Sequence, residues 1–353
     1  MNLSELCRSI TPASIRAGKA AQEQWDHVAK PLGSLGLLEE AIIRIAALRE
    51  SSQIQLKPRG VLVFCADNGV VQEGVTQSGS EVTALVAGNI ARGDASVCHM
   101  AELAQAKVMP VDMGMLHPVP GCLDRRIAPG SGNIAQGPAM SRDQAEQAIL
   151  YGAELVREMA EQGYCLLATG EMGIGNTTTS SAVTAALLQI DPAQVTGRGA
   201  GLSASGLSRK LAVIRQAIEI NQPNPQDPLD ILAKLGGFDI AAMTGAFLGG
   251  AAYRVPILVD GLISAVSALL AYRLCPESRK AIFPSHCSAE PATRLLLSEL
   301  GLSAPIQAGL RLGEGSGAVC FMPMLDMALA VYEEMSTFGE IGLTPYDHLE
   351  DKA

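Results

Sequence analysis

The feature that most restricts the fold is a recurring one: a short, unbroken apolar run ends in a Gly-rich or polar turn and hands over to a helix-like stretch. The runs are GVLVFCADNG from Gly60, KVMPVDMG from Lys107, YCLLATGEMG from Tyr164, VPILVDG from Val255, KAIFPSH from Lys280 and PIQAGLRLGEG from Pro305. Strands that are apolar on both sides must be covered on both sides, which is the condition of a parallel sheet. Helix-like segments lie between them, at 80–103, 141–162, 176–189, 206–220, 261–272, 289–300 and 316–335. This alternation predicts an α/β fold on a parallel sheet. The unusual residues gather at the strands' C-terminal ends, where open parallel sheets bind ligands.

The two ends of the chain read differently. The first 30 residues are polar and helix-like, KPLGSLGLLEE breaks and restarts a helix, and the last thirty residues read as a helix with an acidic tail. We expect residues 1–30 and 325–353 to pack together as a small helical domain beside a large α/β domain spanning 31–324.

Composition removes several function classes. With 48% hydrophobic and 18% charged residues the 353-residue chain is compact rather than disordered. Aromatics at 4% and a net charge of −10 argue against a nucleic-acid partner, which needs stacking faces and clustered cations. Eight cysteines without a CxxC read as free thiols in a reduced cytoplasm. MNLSELCRSI lacks the basic flank and apolar run of a signal peptide. No segment reaches the roughly 18 apolar residues of a membrane span. A cytoplasmic protein is expected.

Four stretches could carry chemistry. GEMGIGNTTTSSA, from Gly170, follows an apolar run and resembles a phosphate loop, but Asn176 stands where nucleotide hydrolases place lysine. A helix starting at Asn176 would aim free N–H groups and its positive dipole end at an anion, as suits a monophosphate. A ligand-free strand–helix turn is the alternative. TGRGAGLSASGLSRK, from Thr196, offers Arg198 and Lys210 as a second phosphate wall, or is a flexible loop. In FPSHCSAEPATR, Ser288 reads as an N-cap with Glu290 and Pro291 in the first turn, or as an anion contact. In GLRLGEGSGAV, Glu314 between glycines is a solvated loop residue, a charge at the N-terminus of the next helix, or a general base whose pKa burial would raise. The five histidines show no metal-ligand spacing, and no GxSxG nucleophile elbow is present.

Taken in order and spacing, KPLGSLGLLE, CADNGVVQEGV, GNIAQGPAMS, GEMGIGNTTTSSA, INQPNP, KLGGFDIAAMTGAFLG, PSHCSAE and RLGEGSGA resemble one family over nearly the whole chain. It is the nicotinate-nucleotide–dimethylbenzimidazole phosphoribosyltransferases of cobalamin lower-ligand synthesis. The resemblance implies a three-layer α/β/α Rossmann-like domain, a small helical domain from both termini, and a homodimer. It implies transfer of phosphoribose from nicotinate mononucleotide to a benzimidazole-type base, without cofactor or metal. By motif, Glu314 would be the base and Glu171 the second acid. Gly173, Gly175, Asn176, Thr177, Lys210 and Ser288 would surround the ribose phosphate, and Ser78, Val86 and Leu312 the acceptor base. Val86 stands where the family can place glutamine, and Asn68 and Thr179 stand where histidine and proline are common. A phosphoribose-binding protein without turnover and a nucleotide hydrolase or kinase are the competing readings.

Overall fold

The computed structural model describes residues 1–348, so residues 349–353 of the expected C-terminal segment lie outside the described residues. Three helices come first, α1 (Leu3–Ser9), α2 (Ile15–His27) and α3 (Leu37–Arg49), followed by β1 (Arg59–Ala66), α4 (Glu81–Arg92), α5 (Ser96–Leu103), β2 (Ala106–Gly114) and β3 (Leu123–Asp124). The chain continues through α6 (Arg142–Glu161), β4 (Leu166–Met172), α7 (Asn176–Leu188), α8 (Ala204–Asn221), α9 (Pro228–Leu235) and α10 (Phe238–Tyr253). It ends with β5 (Ile257–Val259), α11 (Leu262–Leu274), β6 (Ile282–Pro284), α12 (Ala292–Glu299) and α13 (Ser316–Glu334).

The six strands form one parallel sheet in the order β3-β2-β1-β4-β5-β6, with helices on both faces. This is the expected three-layer α/β/α fold. β1 is buried along its whole length, as its uninterrupted RGVLVFCA requires. The chain builds outward from β1 to β3, then returns to the other side of β1 and builds outward from β4 to β6. The order therefore reverses between β1 and β4, and the crevice beyond their C-terminal ends is where such sheets bind ligands.

Local signals account for several helix ends. Ser141 and Gln144 form a reciprocal capping box at the start of α6, and Ser203 caps α8 through Gly206 N–H. Three expectations need correction. The single helix expected over 80–103 is broken into α4 and α5, because Gly93 at φ 85° stops α4 in a left-handed cap. The apolar run at Pro305 does not join the sheet; Ile306 makes only an isolated bridge to His286. Ser288 is not the N-cap of α12, which starts later than expected, at Ala292, with Pro291 in the cap position.

The long buried helix α10 carried no sequence signal of its own. From Phe238 to Ala251 every residue is buried, so no polar face interrupts it. It crosses α6 at very short range: a Cβ on Gly245 would collide with Ile149 O, and one on Gly152 with Ala242 O. The chain ends meet elsewhere. Trp25 of α2 packs against Tyr332 of α13 with ring centroids 5.1 Å apart, and Phe338 N–H donates to His27 O at 2.9 Å. Helix α13 is continuous through the expected 324/325 division and pins itself to β1 by a bidentate Arg59–Asp326 pair at 2.8 and 2.7 Å.

Candidate active site

The site is built where the sheet order reverses. β4 delivers Glu171 at its C-terminal end, beside Phe64 of β1. The chain then turns through Gly173 and Gly175 into α7, which starts at Asn176 as its sequence suggested. A Cβ on Gly173 would lie 2.6 Å from Ala66 O, so only glycine allows this turn to press against the end of β1.

A second turn closes over β4 from the other side. Gly313, Glu314 and Gly315 are all left-handed, at φ 89°, 62° and 89°. Glycine takes this conformation freely; glutamate there is strained by roughly 1–3 kcal/mol. The turn is held by close approach, since a Cβ on Gly170 of β4 would strike the backbone of Glu314 and one on Gly315 would lie 2.7 Å from Val61 Cγ1. Beyond the turn, α13 is anchored by Asp260, which follows β5 and accepts Gly317 N–H at 2.8 Å and Ala318 N–H at 3.1 Å. Glu314 does not serve α13. Its Oε2 instead accepts Val97 N–H at 3.2 Å, at the N-terminus of α5.

Carboxylates dominate the electrostatics. Glu171 is pushed up to about 8, chiefly by burial; an amide hydrogen bond from Asn176 opposes the rise, and the charges of Asp239, Asp260 and Glu314 add to it. Asp239, also bonded by the Asn176 amide at 3.0 Å, is raised to about 6, mainly by burial. Burial raises Glu314 as well, with Val97 N–H opposing and Asp260 adding. Asp260 is raised by burial, which the neighbouring His286 offsets in part. One carboxyl oxygen of Glu290 is buried without a hydrogen-bond partner.

A cleft of about 180 Å³ is lined by Glu171, Gly173, Asn176, Thr177, Ser288, Leu312 and Glu314 among others, so seven of the expected site residues converge. Gly175 and Ser78 line a smaller hollow that shares Gly173, Asn176 and Thr177 with the cleft. Lys210 is buried behind this wall, donating to Thr177 Oγ1 at 2.9 Å and to Gly197 O at 3.3 Å. Burial lowers its pKa to about 8, against the pull of Glu290. Ser288 Oγ lies 2.6 Å from Thr293 Oγ1 and accepts Glu290 N–H at 3.3 Å. Val86 lines neither hollow: it sits half-buried on α4, against the core. Asp239, Asp260 and His286 were not singled out as site residues from sequence, and Glu290 was read only as a first-turn helix residue. The usable signal was position, since Asp260 ends the VPILVDG run and His286 ends KAIFPSH. Among the described residues, no cluster of three His, Cys, Asp or Glu could hold a metal.

A family model described as phosphoribosyltransferase matches residues 10–343. The chain belongs to this family. This phosphoribosyltransferase is 45% identical over 352 residues to the nicotinate-nucleotide–dimethylbenzimidazole phosphoribosyltransferase of Ruminiclostridium cellulolyticum, covering 99% of this chain and 100% of the relative. The enzyme of the same name from Escherichia coli is 44% identical over 336 residues, 94% of each chain. Among solved structures, the crystal structure of CobT from Thermus thermophilus superposes with a TM-score of 0.88 at 39% identity, covering 94% of this phosphoribosyltransferase and 100% of that chain.

Proposed function

We propose that the chain transfers phosphoribose from nicotinate mononucleotide to 5,6-dimethylbenzimidazole or a related base, giving nicotinate and the α-ribotide of the cobalamin nucleotide loop. An imidazole nitrogen of the acceptor attacks C1 of the ribose from the face opposite nicotinate. The C1–N bond to nicotinate breaks and its electron pair returns to the pyridinium nitrogen, so the leaving group needs no proton. The acceptor's N–H proton passes to Glu314. Holding both partners in line supplies much of the acceleration.

The observation that carries this reading is the placement of Glu314: a carboxylate of raised pKa, fixed by a strained turn, on the same cleft as the Thr177 and Ser288 hydroxyls. Leu312, more than half exposed at that cleft, offers an apolar face to the acceptor ring. Glu171, held protonated near neutrality, is the second acid and can donate a hydrogen bond. Gly173, Gly175, Asn176, Thr177 and Ser288 surround the phosphate, and Lys210 acts from behind Thr177. The Asn176 amide is committed to Glu171 and Asp239, so it contributes by setting those acids. Ser78 lines the smaller hollow with Gly175 and Thr177, not the cleft that holds Leu312 and Glu314, and Val86 lies on α4 outside both, so neither position supports a contact with the base.

Nicotinate release from nicotinate mononucleotide, measured with and without added benzimidazole, tests the proposal. Base-dependent release is expected. Binding without release would favour a non-catalytic phosphoribose receptor, and ATP consumption would favour a nucleotide hydrolase. We further propose a cytoplasmic homodimer. All eight cysteines are free, no helix among the described residues is long and apolar enough to cross a membrane, and Leu85, Leu103 and Met327 are exposed apolar side chains suited to a partner surface. A monomer mass by light scattering would remove the pairing.

A further inference from the structure

His286 follows β6 and is 2% exposed, yet its ring borders the cleft. Its tautomer can be read from its neighbours. Nδ1 lies 3.1 Å from Ser285 Oγ and 3.9 Å from Asp260 Oδ1. Ser285 has a single hydroxyl proton, and that proton is given to Val259 O at 2.5 Å. The contact with the ring must therefore be made by a proton on Nδ1, with Ser285 Oγ accepting. The Asp260 carboxylate favours a proton on the same side. Burial lowers the ring's pKa below its ordinary 6.5 while Asp260 opposes, which favours the neutral imidazole. Such a ring carries a bare lone pair on Nε2.

The ring cannot turn away easily. A Cβ on Gly317, in the first turn of α13, would run into Nδ1 and Cε1, so the imidazole is wedged against that helix. Nε2 faces Gly261 together with Ser288: a Cβ on Gly261 would lie 3.8 Å from Nε2 and 3.9 Å from Ser288 Oγ. Among the described residues Nε2 has no hydrogen-bond partner of its own. It is a fixed acceptor at the edge of the cleft, next to the serine assigned above to the phosphate.

We infer that His286 Nε2 accepts a hydrogen bond from a ribose hydroxyl of the phosphoribosyl donor and makes the site selective for ribose over deoxyribose. The inference rests on the donor proposed above. Within that donor the choice follows from chemistry. An ionised phosphate and the nicotinate carboxylate only accept hydrogen bonds, and the N-ribosylated pyridinium ring has no N–H. The sugar hydroxyls are the groups able to donate. The hydroxyls on C2 and C3 also lie between the phosphate-bearing C5 and the reacting C1 of the sugar, which matches a residue adjacent to Ser288.

Nicotinate release is measured with nicotinate mononucleotide and with its 2′-deoxy and 3′-deoxy forms at saturating benzimidazole. Wild-type kcat/KM is expected to fall about 10- to 100-fold for one of the deoxy donors, because Nε2 is left buried and unpaired. His286→Phe keeps a ring against Gly317 and should lose that discrimination, whereas His286→Gln, which can present an amide oxygen near the place of Nε2, should restore part of it. Equal handling of all three donors by the wild type overturns the inference, as does His286→Phe losing the same factor on each. Should His286→Phe fail to fold, the wild-type donor series and the ¹⁵N shifts of His286 decide; a proton on Nε2 would overturn it. Binding of ribose 5-phosphate against its 2- and 3-deoxy forms reads Nε2 without turnover. Equal affinities refute the role of His286 whether or not nicotinate is released, while absence of release from any donor refutes the proposed reaction alone.

Discussion

Replacing Glu171 by glutamine should stabilise the ligand-free protein at alkaline pH and leave it nearly unchanged at pH below 5. The folded state raises this carboxyl from 4.5 to about 8, while the unfolded chain returns it to 4.5. Below 4.5 both states are protonated and the residue contributes nothing. Between 4.5 and 8 the unfolded state ionises first, so wild-type stability falls as pH rises, and above 8 the penalty is complete. At about 1.4 kcal/mol per pH unit, that window is worth about 4–5 kcal/mol if fully realised. Glu171 is only half-buried at the cleft wall, and water there reduces the effect to roughly 2–3 kcal/mol. Glutamine still offers an oxygen to the Asn176 amide, so no hydrogen bond need be lost with the charge. Urea unfolding of both proteins at pH 5 and pH 8.5 reads the difference directly, since groups common to both cancel. A gap between variant and wild type that stays constant across this range would refute the burial argument, and with it the assignment of a protonated acid to the site.

Three further outcomes follow from the geometry. Glu314→Gln can keep the contact to Val97 N–H and should preserve donor binding, while kcat falls about 10²- to 10⁴-fold; the acidic limb of the wild-type kcat/KM profile should lie above the ordinary glutamate value of 4.5 and vanish in the variant. Lys210 is lowered to about 8, so donor affinity should weaken as pH rises through 8 and the lysine loses its charge; Glu171 ionises in the same range, and in Lys210→Gln only that smaller dependence should remain. Gly245→Ala places a methyl group against Ile149 O at the α6–α10 crossing and should lower stability by about 1–3 kcal/mol in a denaturant titration, with kcat per folded molecule unchanged.

The sheet was legible because each central strand is a continuous apolar run, and that pattern has few other uses in a soluble chain. The helix α10 was not, because burial on every side erases the periodicity by which a helix is recognised. PIQAGLRLGEG misled because its apolar residues are not covered as a central strand's are: Leu312 is more than half exposed, and Ile306 makes only an isolated bridge to His286. Glu171, Thr177, Ser288, Leu312 and Glu314 line one cleft, as the resemblance to the family implied; Glu171 and Leu312 were named by that resemblance alone. Motif spacing could not show that Lys210 stands behind Thr177, since its reach depends on how α8 packs on α7. Nor could it reveal Asp260 and His286 as partners, which requires β5 and β6 to lie side by side.

The division of labour among elements explains why a strained glutamate is tolerated at the heart of the site. The proposed phosphate wall belongs to the β4–α7 turn and to α8, whereas Glu314, the proposed base, belongs to the turn before α13. Were that turn relaxed, the distance between the base and the phosphate would depend on loop motion. Instead Gly170, Gly313 and Gly315 bring the turn into contact with β4 itself, and Asp260 ties the start of α13 to β5. Both halves of the site are thereby referred to adjacent parallel strands whose spacing the sheet fixes. In the proposed reaction the roughly 1–3 kcal/mol of backbone strain at Glu314 is spent on holding one carboxylate at a set distance from the donor's phosphate, and an in-line displacement is sensitive to that distance. Relieving the strain with a glycine would also delete the base. A turn that must hold a left-handed conformation and still carry a carboxylate has few sequences open to it, and Gly-Glu-Gly is one of them.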